Sequence, residues 1–307
     1  MFALSCGLQE MENNLVSVIV PTYNTGLPLR DCLESILSQT YKELEVVITD
    51  DNSSDSVTIG ILREFQQRDA RVRVFWLKDN GGPGVARNNS IREARGRYIA
   101  FCDSDDAWFP DKLEKQMAFM KANDCCLTFT SYIVCDNDGV DTGIVNCPKR
   151  VSFQMLKKDN KVGCLTVVYD VSKHGKFYLP SLRKRQDWAM FLKMLKECGY
   201  GYGIQEPLAY YRKRKKSVSR NKLSLVKYNI KVYNDILGFS RFKSYLYFLF
   251  LFLPTYYAKV AKVRWDSWIY VRRKGKAADM IKNTINDTIK DEEKRCAIEN
   301  QKRRSNK

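Results

Sequence analysis

The sequence predicts an α/β fold, with a mostly parallel sheet flanked by helices and a basic helical extension in its last third. Four strand-like runs alternate with three helical segments within about a hundred residues, a pattern typical of parallel sheets with crossover helices. Polar loops follow three of these runs. Residues 212–307 carry 26 Lys/Arg and 8 Asp/Glu, whereas residues 1–211 are nearly neutral. Such a basic segment indicates an anionic partner, either nucleic acid or an anionic membrane surface.

The predicted elements follow from local composition, taken in chain order. β-Branched and aromatic runs predict the buried strands Val16–Val20, Glu45–Thr49, Val72–Leu77 and one from Tyr98. Apolar residues at helical spacing predict helices at Leu29–Gln39 and Val57–Gln67 and after the glycine-rich loop Asn80–Gly84. Later elements are a helix at Leu113–Lys121, strands near Cys126–Val134 and Leu165–Tyr169, a helix from Trp188 to about Cys198, and an edge segment at Ile204–Tyr211.

Three carboxylates, Asp103, Asp105 and Asp106, come directly after the fourth strand. Like charges this close repel one another unless a positive group lies between them. Mg²⁺ or Mn²⁺ prefers oxygen ligands and commonly accompanies a diphosphate, and open α/β sheets bind nucleotides at the carboxyl ends of their strands. The sequence therefore favours a metal–nucleotide site here, with a solvated acidic turn before the next helix as the alternative.

Several other site classes are disfavoured. The first strand ends in Pro-Thr-Tyr-Asn, without the GxGxxG glycines of dinucleotide sites, and no GxxxxGK[ST] loop occurs. The single histidine, His174, argues against a histidine triad or a multi-histidine metal site. Ten scattered cysteines predict free thiols, and no basic stretch followed by a long apolar one begins the sequence. We therefore expect a cytosolic protein.

Four segments in a fixed order, VSVIVPTYN, ITDDNSSD, NGGPGVARNNSIREARGRYIAFCDSDD and RQDW, resemble the family 2 glycosyltransferases of the GT-A fold, in particular the non-processive enzymes of bacterial surface-polysaccharide synthesis. The resemblance covers roughly residues 14–220. It implies a catalytic domain at 1–220, with a nucleotide-sugar half at 14–111 and an acceptor half at 112–220, followed by a tail at 221–307. The QxxRW motif of processive synthases is absent.

The resemblance also implies a donor site, whose residues would be Pro21, Thr22, Tyr23, Asp51, Asn80, Arg87, Asp103, Ser104 and Asp105. The first three would line the nucleoside pocket, with Tyr23 against the base, and Asp51 would accept a hydrogen bond from the base. Arg87 would approach the base or the diphosphate. Asp103-Ser104-Asp105 matches the DxD motif, in which Asp105 would ligate Mn²⁺ or Mg²⁺ and Asp103 would contact ribose or the metal. The alternatives are a core role for Tyr23, a turn role for Asp51 and a solvated charge for Arg87.

By the same resemblance, Asp187 would be the general base that takes the proton of the acceptor hydroxyl. Gln186 replaces the glutamate that the family usually has before this aspartate. A capping carboxylate at a helix N-terminus is the alternative role for Asp187. Contacts with the acceptor or the diphosphate are expected from Gln186, Trp188, Arg212 and Arg214.

The tail contains a strongly apolar and aromatic segment, Ser244–Tyr257, which Pro254 interrupts. Its uncharged run of about 14 residues is shorter than the ~20 that a spanning helix needs. Lys/Arg and Trp residues flank it, which favours an anchor lying on an anionic membrane surface. The alternative is a helix packed on the catalytic domain.

The predicted activity is inverting, metal-dependent transfer of one sugar from a nucleotide-sugar, with UDP as the favoured nucleotide, to a lipid-linked saccharide. We expect the enzyme to be peripheral on the cytoplasmic face of the inner membrane, to act in O-antigen or capsule synthesis, and to have no nucleic-acid partner. The competing interpretations are a nucleotidyltransferase on a similar fold and a nucleic-acid-binding protein that uses the basic tail.

Overall fold

The computed structural model describes residues 12–213 and 222–275, and within them one ten-stranded sheet organises the fold. The strands are β1 (Glu12–Thr22), β2 (Leu44–Asp50), β3 (Val72–Trp76), β4 (Gly96–Phe101), β5 (Ala107–Trp108), β6 (Leu127–Cys135), β7 (Asp141–Val145), β8 (Arg150–Ser152), β9 (Val168–Asp170) and β10 (Tyr200–Arg212). Their order is β3-β2-β1-β4-β9-β6-β10-β5, with β7 paired to β6 and β8 to β10.

Helices flank this sheet, as predicted. They are α1 (Pro28–Leu37), α2 (Ser56–Arg68), α3 (Pro83–Glu93), α4 (Lys112–Asn123), α5 (Phe153–Lys158), α6 (Val171–His174), α7 (Gln186–Cys198) and α8 (Lys222–Lys231). A further helix, Arg241–Gly275, follows α8 and is called the tail helix below. The predicted α/β class with a helical extension is confirmed, whereas the domain boundary near residue 220 stays a prediction.

The half of the sheet that β1, β2, β3 and β4 form is parallel, because β1 pairs with both β2 and β4, and β2 pairs with β3. Successive β1 side chains point to opposite faces of the sheet. Ile19 joins the core cluster that contains Phe101, whereas Val18 and Val20 join the cluster under α1 and α2. Both faces are buried, which is why these strands are continuously apolar in the sequence.

The other half is mixed, and here one predicted strand is only partly correct. Residues Cys164–Thr166 form a 3₁₀ turn, and the strand begins only at Val168. This strand, β9, lies antiparallel between β4 and β6. The sequence pattern failed to predict β7 and β8 because they are short and partly exposed.

The tail helix is continuous for 35 residues, through Pro254. A π-turn, Phe248–Phe252, comes just before this proline. Proline lacks an N–H and its ring displaces the carbonyl four residues earlier, and a widened turn accommodates both effects. By length and composition this is the one helix within the described residues that could cross a membrane.

One face of the tail helix packs on the part of the chain that precedes it. Phe248 and Phe252 are buried, and the Phe252 ring lies 5.8 Å from that of Trp188. Farther along, the Tyr270 hydroxyl donates to Asp141 Oδ2 at 2.7 Å. The opposite face is exposed and carries large apolar side chains, among them Phe242, Tyr245, Leu249, Phe250, Tyr257 and Trp265. Packing and an exposed apolar surface thus occur on the same helix.

The expectation of free thiols is wrong for one pair. Cys126, just before β6, and Cys198, at the end of α7, form a disulfide with their Cα atoms 5.9 Å apart. His174 has a ring nitrogen within 4.8 Å of both sulfurs. The pairing depends on where two distant elements end, which spacing along the chain does not indicate. The other cysteines of the described residues are free thiols: Cys32, Cys102, Cys125, Cys135, Cys147 and Cys164.

Candidate active site

The loops after β1, β2 and β4 meet at the carboxyl edge of the parallel strands. The Asp51 amide donates to the Thr22 carbonyl at 2.8 Å, so the polar segments that end β1 and β2 are joined directly. Asn24 extends this link, because its side-chain oxygen accepts from the amides of Ser54 and Asp55 at 2.9 Å each. The edge is therefore a connected surface, as expected where parallel strands end together.

At the end of β1, Pro21 and Thr22 are buried and Tyr23 is 50% exposed. Within the described residues the Thr22 hydroxyl oxygen has no hydrogen-bond partner, although it is buried. A buried unsatisfied hydroxyl is costly unless a ligand or water completes it. Thr22 therefore offers a polar group, and Tyr23 an exposed aromatic ring, to a planar ligand.

Asp51 is buried, and both of its carboxylate oxygens are engaged by the glycine-rich loop before α3. Gly81 N donates to Oδ1 at 2.8 Å and Gly82 N to Oδ2 at 2.7 Å. The Asn80 side chain donates to the Asp51 carbonyl at 3.1 Å. Gly82 has φ +86°, a conformation that favours glycine, and Pro83 then begins the helix. Asp51 thus holds the loop in place, and each carboxylate oxygen retains a lone pair for a further donor.

Arg87, on α3, forms an ion pair with Asp103, the first carboxylate after β4. The Arg87 side chain is only 11% exposed. Burial alone would lower the pKa of its guanidinium, but the charge of Asp103, the hydrogen bond to it and the charge of Asp187 outweigh burial and the pKa is raised. A charged arginine therefore lies directly behind the DxD motif, not on a solvated helix face.

The remaining residues of this turn are held separately. Ser104 is buried, with its hydroxyl 2.7 Å from that of Thr25. Asp106 is also buried, and its Oδ1 accepts from the Arg212 amide at 3.0 Å. Asp105 is partly exposed. Arg87 and the β10 backbone therefore engage the two outer carboxylates, so the protein itself supplies partners to two of the three.

This donor set still fits a hard divalent cation. Within the described residues, only Cys126, His174 and Cys198 bring three potential ligand atoms within 4.8 Å of one another, so the acidic turn is not a closed protein cage. Mg²⁺ commonly takes one or two carboxylates from the protein and its other oxygens from substrate phosphates and water. Asp105, with Asp103 beside it, matches that arrangement.

Asp187 lies in the first turn of α7 and is partly buried. Its Oδ2 accepts from the Asn160 side chain at 3.2 Å. Its charge reaches the other half of the site: burial raises the pKa of the Cys164 thiol, the Arg87 charge opposes this, and Asp103 and Asp187 raise the pKa further. The predicted base and Asp103 of the DxD motif therefore lie within electrostatic range of the same partly buried thiol, although 84 residues separate them in the chain.

The neighbours of Asp187 differ in exposure. Gln186 packs against Gly84, and its side chain donates to the Leu182 carbonyl. Trp188 is completely buried, and its ring nitrogen donates to the Leu156 carbonyl at 2.8 Å. Trp188 therefore offers no surface to an acceptor in this structure, and its role is to pack α7 against the tail helix.

Arg212, at the end of β10, pairs with Asp31 of α1 at 3.0 Å, besides the bond of its amide to Asp106. Through these two contacts, Arg212 connects the acidic turn to α1. Arg214, the other basic residue predicted here, lies outside the described residues.

Sequence reasoning missed three contacts of the site. Asn160, which orients Asp187, belongs to a polar loop without a recognisable motif, and its own carbonyl accepts from Lys259 of the tail helix at 2.8 Å. Thr25, whose hydroxyl contacts that of Ser104, directly follows the Pro-Thr-Tyr-Asn segment and is not part of it. Tyr132, on β6, lies within electrostatic reach of Asp187. For Tyr132, the only indication in the sequence was the presence of polar residues within the otherwise apolar strand β6.

Comparison with known proteins gives the following relatives. The sequence model described as glycosyl transferase family 2 matches residues 17–187. TuaG of Bacillus subtilis (strain 168), named for teichuronic acid biosynthesis, is 40% identical over 223 residues, which cover 72% of this chain and 88% of TuaG. WfgD of Escherichia coli, named as a UDP-Glc:α-D-GlcNAc-diphosphoundecaprenol β-1,3-glucosyltransferase, is 33% identical over 232 residues, which cover 73% of this chain and 87% of WfgD.

Solved structures share the fold. S. aureus TarS in complex with UDP-GlcNAc aligns with a TM-score of 0.59 and 21% identity, covering 75% of this chain and 69% of the TarS chain. The mannosyltransferase PcManGT from Pyrobaculum calidifontis, in complex with GDP-Man and Mn²⁺, aligns with a TM-score of 0.54 and 18% identity, covering 82% and 75%. At these sequence identities, the structural similarity shows a shared fold and nothing more.

Proposed function

Because the chain belongs to glycosyl transferase family 2 and is a glycosyltransferase, we propose that it is an inverting enzyme of bacterial surface-glycan synthesis. It transfers one sugar from a UDP-sugar to a lipid-linked saccharide. The names of its relatives support both substrates: WfgD and WfaP of Escherichia coli, each 33% identical to this chain, are named for transfer from UDP-Glc to a GlcNAc-diphosphoundecaprenol.

The observation that carries the proposal is that Asp187 and the Arg87–Asp103 pair act electrostatically on the same thiol, that of Cys164. A general base and an anion-binding turn must lie in one cleft for a hydroxyl to attack a sugar whose diphosphate is held on the other side. Arg87 also keeps a positive charge next to the turn. A capping role for Asp187 would not require this proximity.

On the donor side, the nucleoside lies against Tyr23 and above Thr22, whose unsatisfied hydroxyl would gain a partner. Asp51 accepts from the base with its remaining lone pairs, while its bonds to Gly81 and Gly82 fix its orientation. Asn80 and Ser104 keep the loops on either side in place. Such a preformed polar site discriminates between bases through buried groups that a wrong base would leave unpaired.

On the acceptor side, Asp187 takes the proton of the acceptor hydroxyl as its oxygen attacks the anomeric carbon. Attack from the face opposite the departing nucleoside diphosphate inverts the configuration. Asn160 orients the base through its 3.2 Å hydrogen bond. A Mn²⁺ or Mg²⁺ ion held by Asp105, with Asp103 nearby, would offset the charge of the departing diphosphate.

The tail helix supports a location on an anionic membrane surface at the cytoplasmic face. Its exposed face carries aromatic and aliphatic side chains with Lys and Arg around them, as interfacial helices do. Its other face is bonded to the catalytic part of the chain by Lys259, Ser267 and Tyr270. A spanning orientation would break these contacts, whereas lying on the membrane preserves them.

Calorimetric titration of the full chain with UDP, in Mn²⁺ and then in EDTA, tests the donor site. We expect binding that requires the metal and that Asp105→Asn abolishes. Asp111→Asn is the matched control, because Asp111 pairs with Lys115 a few residues farther on and should bind UDP normally. Titrations with GDP, CMP and dTDP identify the base. Metal-independent binding, or equal binding by Asp105→Asn, would contradict the proposed role of the DxD motif.

A further inference from the structure

An open groove of about 890 Å³ runs between the sheet and the tail helix. On one side it is lined by residues of β6, β7 and the end of β10, and on the other by the helix from Val263 to Arg272. Its volume lies in the range of ~300–1,000 Å³ that is usual for small-molecule sites. Bonds between Ser267 and both backbone polar groups of Ile144, at 3.1 Å each, fix the helix against β7.

The groove is basic, and its cations differ from the others on the same helix. Lys259, Lys262 and Lys274 of the tail helix each pair with a carboxylate. Among the described residues, none of the three basic groove-lining residues, Lys213, Arg264 and Arg272, forms an ion pair with a carboxylate, and none of the lining residues is acidic. Three positive charges without counter-charges indicate an anionic ligand with more than one charge.

The rest of the groove is aromatic and aliphatic. Trp268 lies under the Arg272 guanidinium at 5.1 Å from its ring centre, and it stacks on Trp265, which belongs to the exposed apolar face. Further lining residues are Tyr132, Val134, Val145, Tyr211, Val263 and Val271. The apolar lining is thus continuous with the helix surface that faces a membrane in the proposed function. Apolar walls with a cluster of cations fit an amphiphile that has an anionic head.

The groove also lies next to the candidate active site. Tyr211 and Lys213 line it, and the amide of Arg212 between them holds Asp106 at 3.0 Å. Tyr132 separates the two spaces: its ring lies against Gly163, next to Cys164, and edge-on to Tyr211 with ring centres 6.1 Å apart. An anion in the groove therefore lies beside the cleft that contains Asp187, where the acceptor sugar must enter.

We propose that this groove is the binding site for the diphosphate and first prenyl units of the acceptor's lipid carrier, the cations Lys213, Arg264 and Arg272 holding the diphosphate and Trp268 with the valines holding the prenyl chain. The inference rests on the proposed function in assuming a lipid-linked acceptor. It assigns acceptor affinity to residues of the tail helix, none of which belongs to the family match at residues 17–187.

The test uses farnesyl diphosphate as the probe, titrated into the full chain in EDTA so that the proposed metal-dependent donor site does not compete. We expect saturable binding, reduced roughly tenfold or more in the double variant Arg264→Gln/Arg272→Gln, because charge-assisted bonds to the diphosphate are lost. Trp268→Ala should weaken farnesyl diphosphate but not inorganic diphosphate. Arg273→Gln is the matched control, since Arg273 is exposed on the same helix and does not line the groove.

A parallel UDP titration in Mn²⁺ separates this inference from the proposed function. Normal UDP binding without farnesyl diphosphate binding, or with equal binding by the double variant and by Arg273→Gln, overturns the groove assignment alone. An oligothymidylate that binds more tightly than farnesyl diphosphate, and is weakened by the same double variant, overturns it in favour of single-stranded nucleic acid. Retained thermal unfolding of each variant shows that lost binding is not lost folding.

Discussion

The donor edge of the sheet and the groove beside the tail helix differ in where their charged groups find partners. At the edge the protein itself satisfies its carboxylates: glycine amides hold Asp51, Arg87 holds Asp103, and the β10 backbone holds Asp106. In the groove, Arg264 and Arg272 meet no carboxylate within the described residues. A site whose polar groups are already oriented needs little reorganisation when the ligand binds. A groove of uncompensated cations depends instead on the ligand's charge.

The comparison is sharpest at Asp187, where the two regions meet. Asp187→Asn removes the proposed base, and we expect transfer to fall by about 10²–10⁴-fold, the usual contribution of a general base. UDP affinity should stay within twofold of wild type, because the donor edge is untouched. Glu197→Gln, an exposed change at the other end of α7, is the control for single-turnover rates and UDP titrations. Near-normal transfer by Asp187→Asn would remove this residue from the mechanism.

Two phenylalanines on the tail helix separate packing from membrane contact. Phe252 is buried against Trp188, so Phe252→Ala should lower the free energy of unfolding by about 3–5 kcal/mol. Phe250 is 65% exposed, so Phe250→Ala should change stability by less than about 0.5 kcal/mol. The same Phe250→Ala change should weaken binding to anionic vesicles roughly tenfold, from the loss of apolar contact.

Chemical denaturation and vesicle co-sedimentation measure the two effects. Unchanged sedimentation of Phe250→Ala, together with the expected instability of Phe252→Ala, would mean that the exposed face does not contact lipid.

Lys259 connects the tail helix to the base. Its ammonium pairs with the buried Asp159 at 2.5 Å and donates to the carbonyl of Asn160, the residue that orients Asp187. Lys259→Met leaves a buried carboxylate without its partner, and we expect about 2–4 kcal/mol of lost stability and a lower kcat with little change in donor KM.

Lys262→Met is the matched change, since Lys262 forms an exposed i,i+4 pair with Asp266 that contributes at most about 0.5 kcal/mol. Equal kcat values for the two variants would show that the helix does not position the base.

The smallest expected effect concerns Lys112, which begins α4 at the boundary between the two halves. Burial lowers the pKa of its ammonium to about 7, although the ammonium lies 3.7 Å from the centre of the Trp108 ring. The unfolded chain therefore holds this proton more tightly than the native protein between pH 7 and about 10. The free energy of unfolding should rise with pH in that window and be flat below it.

Lys112→Met removes the burial cost of the charge, part of which the Trp108 ring already offsets. We expect it to stabilise the protein by about 2 kcal/mol near pH 6.5, with the difference closing towards pH 10. Denaturation of both proteins across this range is the measurement. A difference independent of pH would mean that Lys112 keeps an ordinary pKa.

The sequence predicted the parallel half well because its strands are buried on both faces. Strands of this kind are continuous apolar runs, which can be recognised without tertiary information. It predicted β9 only in part, since a three-residue strand is stabilised mainly by the neighbours between which it lies. The acidic turn was located correctly, but its charge balance was not, because Arg87 and the Arg212 amide come from other elements. The position of Trp188 next to Asp187 predicts a contact with the acceptor, and only its packing on Phe252 reveals a core residue.

The prediction for the tail was limited in the same way, because it too depended on contacts between elements that are distant in the sequence. Its aromatic content predicted an interface, and its possible packing on the domain was kept as an alternative. The structure shows one face of the helix packed on the preceding part of the chain and an exposed apolar face opposite it, which depends on side-chain directions that composition does not encode.

The packing of Gly84 against Gln186 has a consequence for how such sequences vary. A Cβ at position 84 would overlap the side-chain amide of Gln186, so any other residue there would require this amide, 102 residues away in the chain, to move. A larger residue at 84 would displace the amide and its bond to Leu182, directly beside Asp187. Among relatives, the two positions should therefore change together, with alanine at 84 accompanying a short side chain at 186. Such paired substitutions would indicate this contact from sequences alone.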